Sequence, residues 1–154
     1  MTALFDTATT TGAVDTALHL EIQHFYARHM QAVDLGDVAA WAAGFTEDGV
    51  FSTNAFPEPV VGRAAIEAAT AAGEEARRPT GVIRRHVLTT LAVEPAEDGS
   101  VRTRSYVMVL ETLPKSRTGI YCSTLCEDVL VRGEHGGWLV RSRHILRDDL
   151  IARD

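Results

Sequence analysis

The chain has 154 residues, a hydrophobic fraction of 45%, a charged fraction of 23% and a formal net charge of −6. These values are typical of one globular domain, and no apolar run approaches the ~18 residues that a membrane span requires. The basic clusters are no larger than Arg84-Arg85, which disfavours nucleic acid and anionic membranes as partners. We therefore expect a small-molecule partner.

The amino-terminal residues 1–13 are rich in Thr and have no basic region followed by an apolar stretch. This composition differs from that of a secretory signal. We predict that residues 1–13 form a flexible lead-in, that residues 14–154 form a single domain, and that the protein is cytoplasmic.

The first element is an amphipathic helix at residues 14–34, because its apolar side chains recur at intervals of three and four residues. Gly36 lies just past its end, where glycine often adopts the left-handed conformation that stops a helix. Asp37 can then cap the next helix. The first helix thus ends in Asp34, where the helix dipole disfavours a carboxylate. A functional role and a solvated loop position are both open for Asp34 at this point.

Two further helices are predicted in the first half of the chain. Residues 37–45 form a short helix, and the Ala- and Glu-rich residues 63–77 form a third helix that ends before a proline. Between these helices we predict a turn at residues 46–49, a short strand at 50–52 and a loop with two prolines.

The second half changes to the period of strands, with β-branched and aromatic residues separated by short turns. Helices followed by strands indicate an α+β protein whose helices pack on one face of an antiparallel sheet. Strands of this length coil strongly, so the sheet should enclose a cone-shaped pocket, which is the default ligand site. The predicted strands are residues 82–93, 101–113, 119–131 and 138–148.

The two cysteines are predicted to be reduced core thiols. Cys122 and Cys126 fall in one predicted strand, where four residues span ~13 Å. A disulfide needs Cα atoms within about 7 Å of each other, so the two cannot form a bridge within one straight strand.

Several short motifs follow one another along residues 15–148: D-x-G-D at 34–37, F-T-E-D-G-V-F at 45–51, V-G-R-A-A-I at 61–66, R-R-H at 84–86 and G-G-W-L-V at 136–140. This order resembles the NTF2-like superfamily, in particular the SnoaL-like proteins. The resemblance implies a cone-shaped α+β barrel with three N-terminal helices packed on a strongly curved, mainly antiparallel sheet. It leaves function open, because the superfamily includes dehydratases, ketosteroid isomerases, polyketide cyclases, epoxide hydrolases and dioxygenase small subunits.

Individual positions separate these groups. Scytalone dehydratase-like and bile-acid dehydratase-like members carry a Tyr, an Asp five residues later and a His near the start of the first long strand. This chain is similar at Asp34 and His86, while His29 stands where the Tyr would be. Thr53 occupies the position of the ketosteroid isomerase base, and residues 101–106 lack the Asp of epoxide hydrolases. The resemblance thus favours the dehydratase and polyketide cyclase group.

His86 and Asp34 would form an acid-base dyad. With a usual pKa near ~6.5, a histidine can accept a proton at neutral pH and return it, and a carboxylate on its other ring nitrogen fixes the tautomer. In a dehydration, His86 would take the proton next to a carbonyl and then protonate the departing hydroxyl. Tyr26, His29 or Tyr106 would polarise the carbonyl oxygen. The alternative for His86 is a structural histidine at a strand end. The predicted catalytic residues are His86, Asp34, His29 and Tyr26.

Pocket specificity is expected to depend on large side chains of the helices and strands. His144 would join them if the face that carries Trp138 and Val140 lines the pocket, since strand residues alternate with a period of two; its alternative is a satisfied core histidine. The predicted substrate-binding residues are Trp41, Phe51, Phe56, Tyr106, Met108, Leu125 and His144.

No metal or cofactor is expected. His29, His86 and Asp34 could in principle form a facial triad for iron. The chain has no H-x-D, H-E-x-x-H or C-x-x-C spacing, and it has no G-x-G-x-x-G or Walker loop. We therefore expect cofactor-independent chemistry.

The resulting functional prediction is a proton-transfer enzyme of bacterial secondary metabolism, a dehydratase or a cyclase or isomerase. Its substrate would be a small apolar molecule of polyketide, steroid or terpenoid type. The alternative is a non-catalytic small-molecule-binding protein or an accessory subunit of a larger enzyme such as a ring-hydroxylating dioxygenase. Alternating apolar residues on long strands would leave an exposed patch, so we also predict a homodimer through the sheet.

Overall fold

The computed structural model describes Ala13 and residues 15–151, so the predicted lead-in lies outside the described residues apart from Ala13. Two short 3₁₀ turns, Arg78–Thr80 and Asp148–Leu150, follow the third helix and the last strand. The helices and strands in chain order are α1 (Thr16–Asp34), α2 (Val38–Ala43), β1 (Phe45–Thr53), β2 (Val60–Val61), α3 (Arg63–Arg77), β3 (Ile83–Pro95), β4 (Val101–Thr112), β5 (Thr118–Arg132) and β6 (Trp138–Arg147).

The strands form one six-stranded sheet in the order β2-β1-β6-β5-β4-β3. Consecutive strands from β3 to β6 pair antiparallel, and β1 pairs parallel with β6. The sheet is curved and not closed, and the three helices pack on it. The predicted α+β class, with N-terminal helices on a mainly antiparallel sheet, is confirmed. Because β3 is an edge strand, one side of its backbone is free of strand pairing.

The end of α1 and the start of α2 match their sequence signals, and α1 begins at Thr16, two residues later than predicted. Asp15 caps α1 and accepts hydrogen bonds from the backbone nitrogens of its first turn. Gly36 has φ +76, the left-handed conformation predicted for it, and α1 ends at Asp34. Asp37 caps α2 by accepting from the backbone nitrogen of Ala40 at 3.1 Å. The position of Asp34 therefore follows from local sequence.

The segment between α2 and α3 corrects the prediction. Residues 46–49, predicted as a turn, belong to β1, which begins at Phe45. These turn-forming residues instead lie in an irregular part of β1, where the pairing register with β6 shifts between Phe45 and Val50. The proline-rich loop also contains the short strand β2, which pairs with β1. β-Bulges of this kind bend a strand and redirect its side chains.

A second register shift on β6 decides which of its side chains face the helices. Val140 pairs with Leu130 of β5 and Ser142 pairs with Val129, so Arg141 is an extra residue. Val140 and Arg143 are both buried although they are three residues apart. Beyond the bulge, the inward-facing positions of β6 are Arg143, Ile145 and Arg147.

The hydrophobic core lies between the helices and the sheet. It includes Ile22, Tyr26 and Met30 of α1, Trp41 of α2 and Phe45 of β1.

No helix among the described residues is both long enough and apolar enough to cross a membrane. Cys122 and Cys126 are free and buried on β5, which confirms their predicted state. The predicted homodimer stays a prediction.

Candidate active site

A cavity of about 400 Å³ lies between the helices and the sheet. Its volume falls within the range of small-molecule sites, roughly 300–1,000 Å³. Apolar side chains form most of its wall, and they include Met30, Trp41, Phe51, Ile66, Val107 and Val109. Polar groups reach it at a few points, notably Asp34, His86, Thr124 and Arg143. A mostly apolar wall with few polar groups is suited to orienting an apolar ligand.

Asp34 and His86 are joined inside this cavity. The Oδ1 atom of Asp34 lies 2.6 Å from Nδ1 of His86. The same carboxylate accepts the backbone N–H of His86, at 3.2 Å to Oδ1 and 3.0 Å to Oδ2. With Asp34 ionised, the contact requires Nδ1 to carry a proton, which leaves Nε2 as the free base. The Asp34 side chain is 8% exposed and that of His86 28%.

This contact arises from the ends of two elements. Gly36 stops α1 directly after Asp34, so the carboxylate projects from the last helical residue. His86 lies near the start of β3, opposite Val109 of β4. Because β3 is an edge strand, no neighbouring strand accepts the backbone N–H of His86 on its free side, and Asp34 accepts it instead. Local helix termination and the sheet edge together orient the imidazole.

His29 and Tyr26, two of the predicted catalytic residues, do not line the cavity. His29 is buried in an aromatic cluster, with ring centroids 5.2 Å from Phe25 and 5.5 Å from Trp41. A Cβ atom at Gly44 would collide with its ring, so glycine allows this close approach. Both residues face the core because α1 turns one side of the helix toward the sheet. This corrects their predicted role as carbonyl-polarising groups.

The burial of His29 predicts a pH-dependent contribution to stability. Burial, together with the positive charge of Arg143, lowers the pKa of His29 well below its usual value. The unfolded chain therefore binds a proton at this residue below pH ~6.5 that the folded chain does not, and stability falls as the pH falls. Between about pH 7.5 and 5.0, wild type should lose about 2 kcal/mol more than His29→Phe.

Urea denaturation at the two pH values measures this difference. His24→Phe is the matched control, because His24 is exposed on the same helix, and it should keep the pH dependence of wild type. If His29→Phe keeps it as well, His29 does not stay neutral in the folded chain.

Tyr26 takes part in a buried polar network that the sequence analysis missed. Its hydroxyl donates to Oδ2 of Asp128 at 2.7 Å and contacts the hydroxyl of Thr103. Asp128 also accepts from Arg143, at 3.0 Å to Nε and 2.7 Å to Nη2. Burial, and next the charge of Asp128, raises the pKa of Tyr26 well above its usual value. Tyr26 therefore stays protonated and acts as a structural hydrogen-bond donor.

Arg143 is the member of this network that reaches the cavity wall. Its side chain is 2% exposed and forms an ion pair with the fully buried carboxylate of Asp128. Burial opposes its charged form, but the carboxylate more than compensates and raises the pKa of Arg143 above its usual value. The guanidinium hydrogen-bonds to Asp128 through Nε and Nη2. Its third nitrogen, Nη1, makes no hydrogen bond with the described residues. A fixed positive charge thus faces an apolar cavity.

The predicted substrate-binding residues divide into two groups. Trp41, Phe51 and Phe56 line the cavity. Those of β4, β5 and β6 do not, because β4 and β5 turn their smaller residues inward, such as Val107 and Thr124. The residues that lie on the other face of the sheet are Tyr106, Met108, Leu125 and His144.

His144 faces away from the cavity because of the bulge on β6. Its Nδ1 lies 2.9 Å from the hydroxyl of Ser52. The period of two holds only up to Val140, and the extra residue Arg141 moves Arg143 inward in its place. With the position of the bulge known, strand alternation counted from it would have predicted Arg143 as an inward-facing residue. The sequence alone does not reveal where the register shifts.

The structure does not assemble the three residues weighed as iron ligands. His86 and Asp34 are hydrogen-bonded, whereas His29 lies in the aromatic cluster. Among residues 15–151, no group of three His, Cys, Asp or Glu side chains is arranged to hold a metal ion. Cys122 and Cys126 line the cavity, and burial raises the pKa of both thiols.

Comparison with known proteins places the chain in one family. The model of the SnoaL-like domain matches residues 15–144. Aln2 from a Streptomyces species is 32% identical, with a TM-score of 0.82 over 90% of this chain and 96% of that protein. ActVI-ORFA from Streptomyces coelicolor is 35% identical, with a TM-score of 0.82 over 90% of this chain and 100% of that protein.

A protein of Catenulispora acidiphila, solved in complex with S-DNPA, is 37% identical, with a TM-score of 0.77 over 88% of this chain and 96% of that protein. No curated protein matches the chain. An NTF2-like protein with a cystatin-like fold from Novosphingobium aromaticivorans, 24% identical and with a TM-score of 0.73, shares the fold. The family match covers most of the chain and agrees with the helix, strand and cavity arrangement, so the chain belongs to the SnoaL-like family.

Proposed function

We propose that the protein is a cofactor-independent proton-transfer enzyme, a dehydratase or a cyclase or isomerase, that acts on a small and largely apolar ketone. One observation carries this proposal: Asp34 fixes His86 at 2.6 Å within a mostly apolar cavity. An imidazole held in one tautomer, with its second nitrogen free, is suited to proton transfer next to a carbonyl.

In the dehydration of a β-hydroxy ketone, Nε2 of His86 removes the proton from the carbon next to the carbonyl. The electron pair of that C–H bond moves to the carbonyl oxygen and gives an enolate. The pair then returns to form the carbon–carbon double bond as the C–O bond to the hydroxyl breaks. His86 gives its proton to the departing hydroxyl, so the products are one unsaturated ketone and one water. Asp34 stabilises the transient imidazolium.

Arg143 supplies the charge that the enolate oxygen needs. Its guanidinium lies on the cavity wall, is held by Asp128 and is buried. Fixed positive charges in a dry site stabilise developing negative charge more strongly than they would in water. Arg143 therefore replaces Tyr26 and His29 as the carbonyl-polarising group of our proposal.

The small-molecule ligand of this proposal is supported by a relative. A member that is 37% identical was solved in complex with S-DNPA, and by analogy the cavity of this chain takes a small molecule. The polyketide-, steroid- and terpenoid-like ketones predicted from the resemblance suit its apolar wall.

Incubation with a panel of β-hydroxy ketones on these three frameworks tests the proposal. In deuterated water, mass spectrometry should detect the unsaturated product, and the recovered substrate should carry deuterium at the carbon next to the carbonyl, because an enolate that is reprotonated before water leaves takes up a deuteron. A compound that binds but shows neither product nor deuterium would support the alternative, a non-catalytic binding protein or accessory subunit. Deuterium in a cyclised or isomerised product, without loss of water, would identify a cyclase or isomerase.

A further inference from the structure

Helix α3 carries a glycine in its interior. Gly73 is the eleventh of the 15 residues of α3, and it is the only glycine inside a helix among residues 15–151. Glycine is the least favourable residue after proline at such a position, because it gives up the most backbone freedom when the helix forms. The neighbouring residues of α3 are mostly Ala and Glu, which favour a helix. Gly73 therefore lowers a stability that alanine would restore.

Neither backbone geometry nor packing requires this glycine. Gly73 lies in a regular helical turn and has no positive φ. A Cβ atom added at Gly73 would meet no atom within 4 Å outside the helix's own backbone. At Gly44, by contrast, a Cβ atom would collide with the ring of His29, so glycine is needed there. The fold thus gives no reason for glycine at position 73.

The space in front of Gly73 belongs to the cavity. Gly73 lines it together with Ile66, Thr70 and Glu74 of the same helix. Ile66 is buried in the core, and Gly73 lies two turns further along α3, which is about 10 Å. Gly73 is exposed, and so is Phe56, another residue of the cavity wall. The glycine therefore leaves a recess in the α3 wall near the mouth of the cavity.

This recess lies close to the proposed acid-base dyad. Glu74, the residue after Gly73, places its Oε1 atom 3.1 Å from the position that a Cβ atom at Gly36 would occupy. Gly36 follows Asp34 by two residues at the end of α1. This turn of α3 therefore packs beside the helix end that binds His86. A ligand whose reacting carbon lies at His86 has room for a lateral group at Gly73.

We propose that Gly73 determines how wide a ligand the cavity accepts, because the recess takes up a group that projects sideways from the ligand near its reacting carbon. This role rests on the proposed function, since it takes the cavity as the site of the ketone. Packed sites tolerate few additional carbons, so a larger side chain at position 73 would fill the recess and exclude that group. Glycine at this position is thus explained by the ligand rather than by the helix.

Two isomeric ketones measure this width without requiring turnover. 2-Acetylanthracene is straight and 2-acetylphenanthrene is angular, so they have the same atoms and nearly the same apolar surface but differ in width. Wild type should bind both in a fluorescence titration. Gly73→Leu should bind the angular isomer at least about tenfold more weakly than wild type does, as overfilling a packed site implies. Its affinity for the straight isomer should stay nearly constant, which shows that the cavity is intact.

Two further variants separate ligand width from other effects. Gly73→Ala should raise the equilibrium constant for folding by about four- to fivefold in urea denaturation, since alanine favours a helix interior. It should also weaken the angular isomer alone, by less than Gly73→Leu does. Ala72→Leu is the matched control, because Ala72 is exposed on α3 and does not line the cavity. It should leave the affinities for both ketones unchanged.

The role of Gly73 is wrong if wild type binds neither isomer, if Gly73→Leu weakens both isomers equally or neither, or if Ala72→Leu gives the same selective loss. It is also wrong if Gly73→Ala lowers the stability, since the fold would then require the glycine. Should Gly73→Leu not fold, the two affinities of Gly73→Ala decide between these outcomes.

The titrations also separate this role from the proposed reaction. A selective loss of the angular isomer in a protein that turns over no ketone would refute the reaction and leave the role of Gly73 standing. Turnover of a ketone without a selective loss would refute the role of Gly73 alone.

Discussion

Replacing His86 with alanine is expected to lower kcat for the dehydration or isomerisation by about 10³–10⁴-fold, at the upper end of what one acid-base group contributes. The large loss is expected because the same imidazole removes one proton and delivers it later. KM should change little, since the apolar wall of the cavity supplies most of the binding. Steady-state kinetics on the active compound of the panel measures both constants.

Asp34→Asn separates orientation from base strength in this dyad. The substituted amide would keep the size of the side chain but lose the charge that stabilises the imidazolium, so we expect a loss of about 10²-fold or more in kcat. His144→Ala is the control, because that histidine lies on the other face of the sheet and binds Ser52. If His86→Ala keeps wild-type turnover while the protein stays folded, the assigned base is wrong.

The second large effect concerns stability. Asp128→Ala should lower the free energy of unfolding by about 3–5 kcal/mol, because it leaves the buried guanidinium of Arg143 without its carboxylate. The Tyr26 hydroxyl loses an acceptor as well. The double variant Asp128→Leu/Arg143→Met should recover most of the loss, since replacing both charges removes the desolvation cost of the unpaired one. Urea denaturation at neutral pH measures all three proteins.

A surface ion pair provides the comparison for Asp128. Glu21 binds Arg132 at 2.7 Å, and both side chains are about half exposed. Glu21→Ala should change the free energy of unfolding very little, because solvent screens such pairs. A similar loss in Glu21→Ala and Asp128→Ala would contradict the view that burial makes the Asp128–Arg143 pair important.

Local signals were sufficient for much of this fold. Gly36 and Asp37 predicted the end of α1 and the start of α2. The change in the spacing of apolar residues near residue 82 predicted the division into helices and sheet. The pairing of Asp34 with His86 came from the resemblance to dehydratases together with the chemistry of the two groups. Their contact across 52 residues is long-range, so periodicity alone could not have supplied it.

The strand residues that sequence reasoning misplaced lie beyond a β-bulge or on the opposite face of the strand from the one expected. One extra residue at Arg141 exchanges the faces of His144 and Arg143, and nothing in the local sequence marks the shift. On β4, the larger side chains Tyr106 and Met108 were expected inward, but the space beneath the helices is filled by the smaller residues between them. Strand parity is fixed by tertiary packing, and a slip of one residue reverses it.

Asp34 also fastens two parts of the fold together. Its carboxylate is anchored at the end of α1 and binds both the ring and the backbone nitrogen of one residue on β3, the strand at the sheet edge. An edge strand otherwise exposes free N–H groups that can pair with another chain. The helix end therefore protects part of that edge, and a substitution of Asp34 would remove both the contact that orients the base and one attachment of α1 to β3.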